Sequence, residues 1–99
     1  MKRCEITLPI YYNEGTKIEE EKFYVTKKEL TEKFGGISFN PNWSGQWRHK
    51  GNDYYDSNTL FVIDMPDEGI DFITGYKMVL KDRFKQFEIH IVVYDITVI

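Results

Sequence analysis

Hydrophobic periodicity switches between two and 3.6 residues along this chain, and the order of the switches constrains the fold more than any single motif. The segment "CEITLPIY" alternates. Cys4, Ile6, Leu8 and Ile10 fall on one side, and Glu5, Thr7, Pro9 and Tyr11 on the other, the period of a half-buried strand. Pro9 cannot donate a ladder hydrogen bond, so its position must face an edge or a bulge. "IEEEKFYVTKKELTEKF" changes to helical spacing, with Phe23, Leu30 and Phe34, and Thr26 and Lys27 between them, on one stripe. Thr16 with Glu19 predicts a capping box, the three glutamates suit the positive end of the helix dipole, and Gly35-Gly36 ends the helix. "ISF" opens a second strand, which the turn formers "NPNWSG" interrupt. "QWRH" and "DYYDSNTLFVIDM" then read as two strands around "KGND". A second amphipathic helix, "DFITGYKMVLKDRFKQF", is expected to turn Phe72, Tyr76, Val79, Leu80 and Phe84 inward, and the β-branched run "EIHIVVYDITVI" closes the chain as a strand.

Strand, helix, strand, strand, helix, strand is the split βαβ order. It predicts a single α+β domain over residues 1–99, a ferredoxin-like βαββαβ fold. Two right-handed crossovers would place both helices on one face of a four-stranded antiparallel sheet.

Composition counts against several classes, nucleic-acid binding among them. With 41% hydrophobic and 29% charged residues the chain is globular. Its net charge of −3 has Lys and Arg interleaved with Glu and Asp, without the basic face that a nucleic-acid binder uses. "SNTLFVIDM" also lacks the basic-Gly-aromatic pattern of the RNA-binding module of this fold. One cysteine, Cys4, rules out an intrachain disulfide and suits a reducing cytoplasm. "MKRCEITLPIYYNEG" does not have the form of a signal peptide, and no apolar run is long enough to span a membrane. The expected localisation is cytoplasmic. His49 and His90 have no metal-ligand spacing with Asp53, Asp56 or Asp64, and the sequence implies no cofactor.

Chemistry-bearing side chains concentrate in "GQWRHKGNDYYD", Gly45 to Asp56. A two-residue loop at Gly51-Asn52 would set Lys50 opposite Asp53, His49 opposite Tyr54, Arg48 opposite Tyr55 and Trp47 opposite Asp56. Trp47, His49, Tyr54 and Asp56 would then share one face with Leu60 and Val62. Arg48 and Tyr55 would share the other with Phe61, Ile63 and Met65, the more apolar set and so the core side. A bulge at "DSN" would reverse the assignment. As a ligand site, His49 would be the acid or base, Asp56 its orienting group, and Trp47 and Tyr54 the walls. The favoured reading is a projecting hairpin with aromatic packing, in which Trp47 is a buried anchor and neither His49 nor Asp56 is needed by the core.

The last strand alternates Ile89, Ile91 and Val93 with His90, Val92, Tyr94, Ile96 and Val98, so both its faces are apolar. Leu60 and Val62 likewise back onto Phe61 and Ile63. A contiguous apolar patch of Leu60, Val62, Val92 and Tyr94 on the open face predicts a homodimer through that face, an edge strand, or both. The chain therefore reads as an interaction or regulatory domain acting as a homo-oligomer. The alternative is a small enzyme or ligand-binding protein with a pocket near Trp47, His49, Tyr54 and Asp56 that takes a small molecule.

"ITLPI", "FGGIS" with "GQW", and "LKDRFKQFEIHIVVYDI" together resemble a widespread group of prokaryotic proteins of about this length and of unknown function. A related secreted group has a similar Gly-x-Trp and Arg-Phe-x-Gln arrangement, here Gly45, Trp47, Arg83, Phe84 and Gln86. The resemblance spans most of the chain and implies the ferredoxin-like fold. It brings no catalytic residue across.

Overall fold

A computed structural model describes residues 1–99. The elements run β1 (Lys2–Pro9), α1 (Glu20–Phe34), β2 (Ser38–His49), β3 (Asn52–Met65), α2 (Gly69–Arg83) and β4 (His90–Asp95). The antiparallel sheet has the order β2-β3-β1-β4, which is the ferredoxin-like arrangement expected from the periodicity. Neither helix is long and apolar enough to cross a membrane.

Alternation in β1 and β3 builds the core. Cys4 pairs with Ile63 and Ile6 with Phe61, and all four are fully buried with Leu8. Phe23, Thr26 and Leu30 from α1 and Ile73, Tyr76 and Leu80 from α2 are buried too. Phe84 and Ile89 complete the layer. The inner face of α2 differs from the expected one: Ile73 is buried and Val79 is exposed. The buried stripe is Ile73, Tyr76, Leu80 and Phe84, steps of three, four and four, and it leaves Val79 on the outer side.

Helix ends depart from the sequence reading at the start of α1 and at both ends of α2, which begins two residues earlier and stops at Arg83 instead of running to Phe87. Gly35 caps α1 in the left-handed region (φ 87°), and its amide donates to the Thr31 carbonyl at 2.8 Å. The Thr16–Glu19 capping box is not formed. Glu19 is itself the N-cap, and its carboxylate accepts from the Tyr12 hydroxyl and pairs with Lys22. Beyond α2, Lys85 takes φ 53° while the Gln86 amide reaches back to the Lys81 carbonyl at 2.9 Å. This is a Schellman-type end built on a lysine. Arg83 then ties the two helices together. It donates to Thr26 Oγ1 at 2.8 Å and pairs with Glu29 at 2.6 Å, and the Tyr76 hydroxyl donates to the same carboxylate at 2.9 Å. Burial, with Glu29 adding in the same direction, pushes the Tyr76 hydroxyl up to about 12.

The β2–β3 hairpin outruns the rest of the sheet. Pairing of β1 with β3 stops at Pro9 opposite Asn58, and β4 reaches only Thr7. Pro9 is therefore the last rung, flanked on one side only, which suits a residue without a donor. Trp43–His49 and Asn52–Asn58 continue as a two-stranded arm. The loop is Lys50-Gly51, one residue earlier than expected, with φ of 51° and 80°, the pattern of a type I′ turn. Trp47 accordingly pairs with Tyr54, Arg48 with Asp53 and Gly45 with Asp56. The bulge lies in β2, between Asn40 and Trp43, and β3 is unbroken at "DSN". Pro41 sits in that bulge on an edge strand, where a missing donor costs no ladder bond.

Candidate ligand cleft and interface surfaces

Register decides which candidate side chains meet. The displacement of the loop moves every cross-strand pairing by two positions, so the faces are kept. By alternation Trp47, His49, Tyr54 and Asp56 still share a face with Leu60 and Val62. Trp47 stacks on Tyr54, with centroids 4.5 Å apart and an 18° interplanar angle, and the His49 ring lies 6.3 Å from Trp47. The Trp47 ring is 47% exposed, so it is not the buried anchor expected from its size. No third strand or helix lies over this arm to cover it. On the opposite face Arg48 forks onto Asp53, Nε at 2.7 Å and Nη2 at 3.3 Å.

His49 and Asp56 are not brought together. Asp56 pairs with Gly45, four residues from His49 along β2, which is about 13 Å of strand. Asp56 instead lines a cleft of about 700 Å³ where the arm leaves the body. Trp43, Gly45 and Asn58 from the arm, Tyr11 and Asn13 from the loop after β1, Gln86 and Glu88 from the segment between α2 and β4, and His90 at the start of β4 line it with Asp56. Trp47, His49 and Tyr54 lie farther out and do not. Glu88 pairs with Lys77 at 2.6 Å, and this contact holds its carboxyl below the usual range. The sequence signal for this cleft was "WSGQW". Trp43, Gly45 and Trp47 at period two leave a gap between two rings.

The Arg-Phe-x-Gln motif divides its work. Arg83 binds the helices, Phe84 is in the core, and Gln86 lines the cleft. No three His, Cys, Asp or Glu side chains gather around a point where one metal ion could sit. Burial pushes the Cys4 thiol up to about 12, so it is protonated at neutral pH.

The apolar patch expected on the open face is divided. Sheet order puts β1 between β3 and β4, so Arg3, Glu5 and Thr7 run between Leu60 and Val62 on one side and Val92 and Tyr94 on the other. Arg3 is held by Asp64 through Nε at 2.7 Å and Nη2 at 3.0 Å, and the Tyr94 hydroxyl donates to Glu5. Leu60 is already buried within the chain, Val62 is half-buried, and Val92 and Tyr94 remain exposed.

No family model matches this sequence, and no curated protein does. Solved structures do match. The divalent cation tolerance protein Cut A1 from Thermus thermophilus superposes with a TM-score of 0.68 at 18% identity, over 97% of this chain and 84% of that one. The divalent ion tolerance protein CutA1 from Ehrlichia chaffeensis gives 0.70 at 12% identity, over 99% and 82%. CutA from Xylella fastidiosa gives 0.69 at 9%, over 98% and 84%. The likeness is one of fold. It covers nearly the whole chain, and it agrees with the βαββαβ order read from the sequence.

Proposed function

We propose that this chain is a small interaction or regulatory domain that works as a homo-oligomer, joined through the projecting arm and the free edge of β2. The carrying observation is the arm itself. β2 is a twelve-residue edge strand, exposed along almost all its length, and it bears Phe39, Trp43 and Trp47. A long edge with unpaired backbone groups is a template for another strand. A two-stranded ribbon is marginal alone and gains most from a partner. Val62 continues this surface onto the open face, whereas Val92 and Tyr94 form a separate exposed patch on β4 at the other edge. A two-fold dimer is the simplest closed form. Light scattering of the purified chain at micromolar concentration is expected to give at least twice the 11.8 kDa of one chain. The double variant Trp43→Lys, Trp47→Lys is expected to fall to the monomer mass with its circular dichroism unchanged. A monomer mass for the parent chain sinks the proposal.

The names of the fold neighbours favour a second reading, participation in the response to divalent cations. Growth of cells with and without this chain, compared across a divalent-cation series, tests it. Equal tolerance removes it.

A further inference from the structure

We propose that the cleft at the base of the arm binds a small organic cation, an ammonium group on a short polar body, with Asp56 as its counter-ion. Its walls include two carboxylates, Asp56 and Glu88, and no lysine or arginine. Lys77 neutralises Glu88 at 2.6 Å, whereas no lysine, arginine or terminal amine pairs with Asp56. An anion would meet an unpaired carboxylate and no lysine or arginine, with the His90 imidazole as the one basic side chain in the walls. A cation would meet that carboxylate with aromatic rings beside it.

Gly45 makes the carboxylate reachable. It is the cross-strand partner of Asp56, and a Cβ built on it would sit 4.0 Å from the Asp56 Cβ, with nothing nearer. Any larger residue there would stand over the carboxylate. With glycine, the space beside Asp56 is bounded along β2 by the Trp43 ring two residues away on the same face. Tyr11 lines the same cleft from the loop after β1. An ammonium that settles over the indole or phenol ring gains from the ring quadrupole as well as from the carboxylate. The amides of Asn13, Asn58 and Gln86 offer both donors and acceptors to the rest of the ligand. A volume of about 700 Å³ suits a metabolite-sized molecule. This cleft lies at the Pro9 end of the sheet, away from Val92 and Tyr94 beside Glu5 and Arg3. It shares Trp43 with the arm surface proposed to self-associate, so light scattering beside the choline titration separates a loss of binding from a change of oligomeric state.

The test uses the full chain with Trp47→Phe, which leaves Trp43 as its only tryptophan. Choline is the probe, and its uncharged isostere 3,3-dimethylbutan-1-ol is the control. Choline is expected to change Trp43 fluorescence saturably, and the alcohol to bind at least tenfold more weakly. Asp56→Asn is expected to weaken choline at least tenfold, and Gly45→Val to abolish its effect, both with circular dichroism unchanged. Equal binding of choline and the alcohol overturns the assignment, as does the absence of any saturable change with choline. Unaltered choline binding in a folded Asp56→Asn variant does the same. The comparison of choline with the alcohol uses the cleft as it stands, so it decides the matter even where a substitution fails to fold.

Discussion

The body and the arm of this molecule are made from the same kinds of residue and obey different energetics. In the body, Phe61 and Phe84 are fully buried, and Phe84 meets Phe23 edge to face at 5.2 Å. In the arm, Trp47 and Tyr54 stack at 4.5 Å with much of both rings in water. The difference is the number of layers. Helices cover the body sheet, whereas the arm has two strands and nothing over them. Size and aromaticity therefore do not predict burial, and a large ring left uncovered marks a surface available to a partner.

The largest effect should fall in the body. Phe84→Ala is expected to destabilise by about 3–5 kcal/mol, read from the denaturant midpoint. A loss comparable to that of Trp47→Ala would erase the distinction between the two regions. Arg83→Ala comes next, at about 1–3 kcal/mol, because it removes the donor to the fully buried Thr26 oxygen, leaving only that hydroxyl's own bond to the Lys22 carbonyl, and takes the cation from Glu29. A neutral result in equilibrium unfolding would show that ring contacts such as Phe23–Phe84 and Phe34–Phe72 hold the helices without the Arg83 bridge.

In the arm the effects shrink. A double-mutant cycle on Trp47 and Tyr54 should give a coupling of about 0.5–1.5 kcal/mol. It should appear in amide exchange of residues 44–57 more than in the global midpoint, because the arm can open locally. Exchange there that is as slow as in β1 would mean that the arm is covered. Lys50→Asn supplies the Asn-Gly pair that the positive φ angles favour. It should slow exchange in the arm slightly and leave the body unchanged.

Acid should act on the body, and weakly. Arg3 holds Asp64 below the usual carboxylate range, Lys2 holds Asp95 below it, and Lys77 does the same for Glu88. Carboxyls depressed in the folded state contribute stability that is present above their unfolded pKa of about 4 and is lost as pH falls through the folded values. The pairs are solvent-exposed, so the loss below about pH 4 should be shallow. A steep loss between pH 5 and 7 would require a titrating group that these pairs do not contain.

Local patterns were legible because they depend on neighbours in sequence. Alternation in "CEITLPIY" and "FVIDM", the stripe from Phe23 through Leu30, and the glycine stop at Gly35 each describe one element and the side it buries. The order of those elements then selected the fold through the handedness of crossovers. The faces of Trp47, His49, Tyr54 and Asp56 also survived a wrong turn position, since a shift by two preserves alternation. Tertiary structure decided what lies beside what. Inserting β1 between β3 and β4 laid Arg3, Glu5 and Thr7 through a patch that looked continuous when the strands were read singly. The Lys50-Gly51 turn moved Asp56 opposite Gly45 and away from His49. The cleft gathers residues from near Tyr11, Trp43, Asp56 and Glu88, and no local period relates those segments. Periodicity acts over a few residues, whereas register and strand order come from pairing and burial between segments far apart in the chain.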